Sequence, residues 1–257
     1  DLTPTKVNLW VKSLQSSKSA TTCGNYLAGL LVIWNHLTER QLVEPYHSKR
    51  IRRIRKDSKP VVAWTVTEIR NLLKSADLLE GLLRGTTLKA SDFMRALILV
   101  SFETGLRPSD MRLIRIDQID FKAGTIAVVQ HKTRQPHVAR LSQPTIEAIK
   151  RLKTTDLVFP LGKTGVCKWE RKLYKIAEEN YGFCRRKRSG IGTLRKSHAT
   201  EIFTEHGLDV AARSLGHVGG VLVARKHYID SRAINSGTLP GIELNDRARK
   251  HSQGRPK

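Results

Sequence analysis

The chain has 257 residues, with 46 Lys plus Arg against 23 Asp plus Glu, a formal charge of +23. Its 39% hydrophobic content is enough to bury a core, which excludes a disordered basic tail and leaves room for one large domain or two ordinary ones. The charge calls for a polyanionic partner, and with no run of about 18 apolar residues, no lipidation pattern and no signal segment, nucleic acid is preferred to a membrane surface.

Two apolar-periodic stretches come first, one around Val7 to Leu14 and a longer one from Tyr26 to Leu42 that puts Leu27, Leu30, Leu31, Trp34 and Leu37 on one helical face. They predict a small helical domain. Lys49, Arg50, Arg52, Arg53, Arg55, Lys56 and Lys59 follow, closed by Pro60, and read as a basic linker that is either a solvated connector or a contact to a DNA backbone. Thr65-Val66-Thr67-Glu68 has capping-box spacing and opens a new helix and a new domain. Phe93 to Phe102 reads as a buried helix stopped by Gly105. The β-branched stretches Ile119 to Gln130 and His137 to Leu141, around Gly124 and a turn from Thr133 to Pro136, predict a small antiparallel sheet. Helical patterns dominate from Thr145, there is no internal repeat, and the stretch from Arg247 is polar and basic enough for disorder. Three widely spaced cysteines, Cys23, Cys167 and Cys184, offer neither a disulfide framework nor a zinc spacing and fit a reducing cytoplasm. The chain opens on Asp1 rather than Met, which points to a preceding N-terminal segment.

Four places could carry chemistry. Arg107 lies between the Gly105 stop and a helix that Pro108 can open, where a guanidinium and backbone amides converge on an anion; a surface or capping arginine is the blander reading. Lys132 sits where the hairpin turns, and such lysines are commonly solvated. Arg195 and His198 are three apart at the start of a helix and share a face, a second anion clamp. Leu215-Gly216-His217 follows a short helix ended by Gly216, and Tyr228 comes eleven residues after His217 among basic residues, where packing or phosphate contact is the ordinary role of a tyrosine.

The order of these pieces changes their weight. Thr104-Gly105-Leu106-Arg107, a hairpin Lys132-Thr133, Leu194-Arg195 at a helix start, Leu215-Gly216-His217 and then Tyr228 resemble the tyrosine recombinase (phage integrase) family over residues 60 to 234. The resemblance implies a mainly α fold with a small antiparallel β-sheet (α+β). A helical core-binding domain that clamps DNA would span residues 1–58, with a catalytic domain at 60–234 and a basic C-terminal tail at 235–257 that is disordered or packs in trans. It also implies that Arg107 and Arg195 bind the phosphate, Lys132 is the hairpin lysine and general acid, His217 is the late histidine and Tyr228 is the nucleophile. The reaction would be site-specific DNA cleavage and rejoining through a 3′-phosphotyrosine, with no cofactor and no metal. Its substrate would be double-stranded DNA with paired sites held by a homotetramer, in a cytoplasmic, nucleoid-associated protein of bacterial or phage origin serving a mobile element.

Two positions depart from the pattern. The histidine expected three residues before Arg195 is Gly192, and the interval from His217 to Tyr228 is a couple of residues long, with Gly219 and Gly220 inside it. Lys196 and His198 are candidate substitutes, against a surface lysine and a histidine packed behind the site; Arg185 to Arg188 form a further basic run, either solvated or on phosphate. Gly192 keeps open a DNA-binding protein of this fold without catalysis. A type IB topoisomerase, which shares the tyrosine chemistry, and a structural nucleoid or RNA-binding protein, in which charge alone acts, also compete with the recombinase.

Overall fold

The computed structural model describes residues 3–46, 48–55, 60–185, 189–216 and 221–235. The chain forms two compact units, residues 1–59 and 60–257. Lys56, Lys59, Arg186 to Arg188, His217, Gly219, Gly220 and the predicted tail from residue 236 lie outside the described residues.

The first unit is built on α1 (Pro4–Gln15) and α2 (Ala20–Glu39). Each starts where a hydroxyl satisfies a free amide: Thr3 accepts from the Lys6 N–H at 3.3 Å and Ser19 from the Thr22 N–H at 3.2 Å. α2 begins before the expected stretch and ends at Glu39, short of Leu42, and four of the five residues read as its buried face, all but Leu37, pack into the core. Leu27 and Trp34 join Val7, Val11 and Ile51 in the core, with Leu30 and Leu31 packed beside them. Trp34 donates its indole N–H to the Glu44 carbonyl at 3.0 Å and meets the Tyr46 ring at 5.0 Å. The Asn8 side chain donates to the Arg50 carbonyl at 2.8 Å and accepts from the Arg52 N–H at 3.0 Å, and Ile51 and Ile54 pack inward. The basic stretch therefore begins as part of this unit and not as a free connector.

The second unit opens with α3 (Val66–Asp77), whose capping box is reciprocal: the Thr65 hydroxyl accepts the Glu68 N–H at 3.2 Å and the Glu68 carboxylate accepts the Thr65 N–H at 2.7 Å. α4 (Ala90–Thr104) runs through the core with Phe93, Met94, Ala96, Ile98 and Val100 buried, and Gly105 ends it at φ 59°, a left-handed cap that favours glycine. After the short α5 (Pro108–Met111) come β1 (Ile119–Asp120), β2 (Thr125–Val129) and β3 (Pro136–Arg140), antiparallel in that order, with Val128 opposite His137. β1 is only two residues long because Asp120 Oδ1 accepts the Lys122 and Ala123 amides at 2.9 and 2.8 Å and turns the chain. α6 (Gln143–Leu152), α7 (Lys163–Tyr181), α8 (Thr193–His206), α9 (Leu208–Ser214), α10 (Val221–His227) and α11 (Ser231–Asn235) complete the unit. A large core joins α3, α4, α6 and α7, with Phe93 edge-on to Phe159 and Trp64 edge-on to both Tyr174 and Phe183. A smaller cluster of Ala199, Ala211, Leu215 and Ile229 packs α8 and α9 beneath Tyr228.

The C-terminal end of α4 positions the rest. Its last carbonyls have no partners within the helix, and two imidazoles supply donors: His198 Nδ1 to the Phe102 carbonyl at 2.8 Å and His137 Nε2 to the Thr104 carbonyl at 2.9 Å. Burial lowers the pKa of both histidines, that of His198 to about 4, against the smaller raising effect of these same bonds. Both are held neutral in the fold but take up a proton when unfolded, so stability is present above the ordinary histidine range and lost as pH falls toward 4. For His198 alone this amounts to about 3 kcal/mol. The thermal midpoint of the whole chain, followed from about pH 7.5 down to about pH 4.5, is expected to drop steeply. A His198→Gln variant should lose less over that interval, and equal losses would exclude His198 as a source of the acid sensitivity.

Candidate active site

Arg107 stands at the N-cap of α5 with extended backbone and Pro108 as the first helical residue, as the glycine-to-proline spacing predicts. Its Nη1 donates to Gln130 Oε1 at 2.5 Å and lies 3.9 Å from Asp110 Oδ2. The other Asp110 oxygen accepts the His131 N–H at 3.1 Å, so this buried carboxylate joins the arginine loop to the β2–β3 turn. Lys132 is at that turn, exposed to solvent.

Arg195, in the first turn of α8, is only 2% exposed. Its Nη1 donates to the Gly105 carbonyl and its Nη2 to the Leu215 carbonyl at 2.9 Å. The Tyr228 ring lies over the guanidinium, 4.9 Å from centroid to Cζ. Burial, followed by the neighbouring Arg107 charge, lowers the Arg195 pKa to about 10, which leaves it cationic at neutral pH. Two arginines are thus held in one region against their mutual repulsion, the arrangement that suits a dianionic or pentacovalent phosphate.

Tyr228 directly follows α10, and its amide donates to the Ala224 carbonyl at 2.9 Å. Two residues on, Asp230 fastens this segment to the start of the unit. Its Oδ2 accepts the Ala63 N–H at 2.7 Å and its Oδ1 the Arg232 N–H at 2.8 Å; the Arg232 guanidinium closes the pair, and Ser231 N–H reaches the Val61 carbonyl at 3.1 Å. Burial raises the Asp230 pKa less than these donors together lower it, so it is held ionised. Replacing Asp230 with Ala should cost about 2 kcal/mol, the scale of a hydrogen-bonded charged group, and denaturant melts of the whole chain measure it.

Arg107, Arg195 and Tyr228 come together, and Asp110 links the turn that carries the exposed Lys132 to the Arg107 loop; His217 lies outside the described residues. Gly192 is the N-cap of α8 at φ −62°, and a Cβ there would come 3.3 Å from Pro108 Cγ, so the position adjoins the Arg107 loop. His198 does not replace the expected histidine, because its ring is pressed against Gly105 and bonded to Phe102 behind the arginines. Lys196 is half-buried. Gln130 and Asp230 escape sequence reasoning altogether: both act through side-chain bonds to distant parts of the chain, which no local pattern marks.

The phage integrase family model matches residues 65–233. Among solved structures, the XerH site-specific recombinase bound to palindromic difH substrate, in a post-cleavage complex, superposes with a TM-score of 0.69 at 18% identity, covering 88% of this chain and 68% of that one. The Tn1549 transposon integrase in complex with a circular intermediate DNA gives 0.68 at 12% identity, over 97% of this chain and 86% of that one. A lambda integrase (75–356) dimer bound to a COC′ core site gives 0.69 at 14% identity, over 93% and 82%. No curated protein matches the chain by sequence. With its family model spanning the entire arginine-to-tyrosine series, the chain belongs to the phage integrase family.

Proposed function

We propose that the protein is a site-specific DNA recombinase that cuts and rejoins strands through Tyr228. The observation that carries this reading is the stacking of Tyr228 on Arg195, with Arg107 tied into the same hydrogen-bonded frame. The Tyr228 phenol releases its proton to solvent as its oxygen attacks a backbone phosphorus; a tyrosyl–phosphate bond forms at the 3′ side, and the bond to the 5′-oxygen breaks. Arg107 and Arg195 hold the non-bridging oxygens and offset the charge of the phosphorane. Lys132 gives its proton to the departing 5′-oxygen. His217 orients the phosphate. The phosphotyrosine conserves the bond, so a 5′-hydroxyl from a second strand reseals the backbone with no external energy source. Paired sites in double-stranded DNA and a tetramer on the synapsed duplexes belong to this proposal, as does clamping of DNA by residues 1–58. The charge of +23 supports DNA as partner.

Gly192 favours a second reading. It leaves the site without a proton-handling group that the family pattern expects, which suits a protein that binds DNA without cutting it.

Duplexes selected for binding from a library, nicked to trap cleavage, separate the two. The wild-type chain should form an adduct stable on a denaturing gel, and Tyr228→Phe should bind equally well without forming it. Arg107→Ala and Arg195→Ala should each slow the adduct about 10²–10³-fold. Binding should weaken steeply with salt, as phosphate contacts require. Tight binding by the wild type with no adduct would rule out the recombinase and select the silent binder. Relaxation of supercoils by a monomer without paired sites would select a topoisomerase.

A further inference from the structure

Gln130 is 0% exposed at the end of β2, and both ends of its amide are bonded. Its Oε1 accepts from Arg107 Nη1 at 2.5 Å and from the Thr133 hydroxyl at 3.2 Å; its Nε2 donates to the Leu215 carbonyl at 3.1 Å. The same Leu215 carbonyl accepts Arg195 Nη2 at 2.9 Å. A hydrogen-bonded path therefore runs from one arginine to the other through a single buried amide. We propose that Gln130 is a positioning residue that sets the two guanidiniums and the Leu215–Gly216 turn in one frame, so that a single phosphate meets them together. The proposal rests on the recombinase reading for its consequence, though not for its geometry.

The chemistry of the partners selects glutamine. Arginine can only donate and a carbonyl can only accept, so the amide has one workable orientation and needs an acceptor at one end and a donor at the other. Glutamate keeps the acceptor but turns a second oxygen toward Leu215 and brings a negative charge against Arg107, which would blunt the arginine toward phosphate. Methionine keeps the length and loses both bonds. The fold also leaves space for the amide: Gly216 sits at φ 63°, and a Cβ there would come 2.6 Å from Gln130 Nε2. The Gln130 backbone closes the base of the Lys132 turn, its N–H donating to the Gln135 carbonyl at 2.9 Å and its carbonyl accepting from the Arg134 N–H at 2.8 Å. One residue thereby touches Arg107, the Leu215 carbonyl that also holds Arg195, and the turn that carries the lysine.

The test compares the full-length wild type with Gln130→Glu and Gln130→Met on a selected nicked duplex, measuring affinity, single-turnover adduct rate and thermal midpoint. The adduct rate should fall about 100-fold in both variants, the scale of a misplaced reacting group, while affinity changes by less than about 3-fold. A merely structural role would lower the midpoint and leave that split unmoved. The second arm needs no activity. Arginine side-chain NMR signals, assigned with Arg107→Lys and Arg195→Lys, should both shift in Gln130→Glu. An adduct rate within about 3-fold of wild type in the near-isosteric Gln130→Glu, or arginine signals that stay in place, would overturn the proposal. If the wild type forms no adduct, the recombinase reading fails and the NMR arm still decides whether Gln130 sets the frame.

Discussion

Arg195 is a positive charge with almost no access to water, and such a charge is tolerated only where fixed acceptors take up its N–H groups. Those acceptors include backbone carbonyls from two separate loops, Gly105 after α4 and Leu215 after α9. Neither loop can shift without leaving a buried guanidinium short of partners. The arginine that would meet the phosphate therefore also fixes the fold around itself, and its geometry is set before any substrate arrives. The Arg107 loop is drawn into the same arrangement through Gln130, and the Tyr228 ring covers the guanidinium.

This arrangement depends on backbone that ordinary side chains would spoil. Gly105 takes a left-handed φ that lets α4 stop with its carbonyls turned toward α8, and a Cβ there would run into the His198 ring. Gly216 does the same for the turn that presents the Leu215 carbonyl. His137 and His198 occupy the neighbouring carbonyls of α4, so β3 and α8 are tied to one helix end by neutral imidazoles that bring no further positive charge beside the arginines. The polar groups at that helix end are consequently shared between a structural task and the positioning of candidate catalytic residues.

Much of this was legible in the sequence where the cause is local. The Thr65–Glu68 spacing, the Gly105 stop, Pro108 at a helix start and the antiparallel pairing of the β-branched stretches before and after the Thr133–Pro136 turn each depend on neighbours a few residues away, and each appears as read. Helical spacing also put Arg195 and His198 on a common face. What that face touches was not legible, since the Phe102 and Gly105 carbonyls lie about ninety residues earlier in the chain. Gln130 was hidden for the same reason, its amide being one among many polar side chains until β2 and the α9 turn are brought together. The expected strand from Ile119 broke early because the Asp120 side chain competes for backbone amides, a contest that β-branched composition does not reveal.

Everything in the proposed chemistry turns on Tyr228, lying on a buried arginine, being the residue that becomes joined to DNA. Peptide mapping of the trapped complex tests this without intermediaries: after nuclease and trypsin digestion, the nucleotide mass is sought on the peptide from His227 to Arg232. A phosphodiester remnant is expected on Tyr228 and on no other residue. A remnant on Tyr181 or another side chain, or an adduct that persists in Tyr228→Phe, would show that a different group attacks the phosphate.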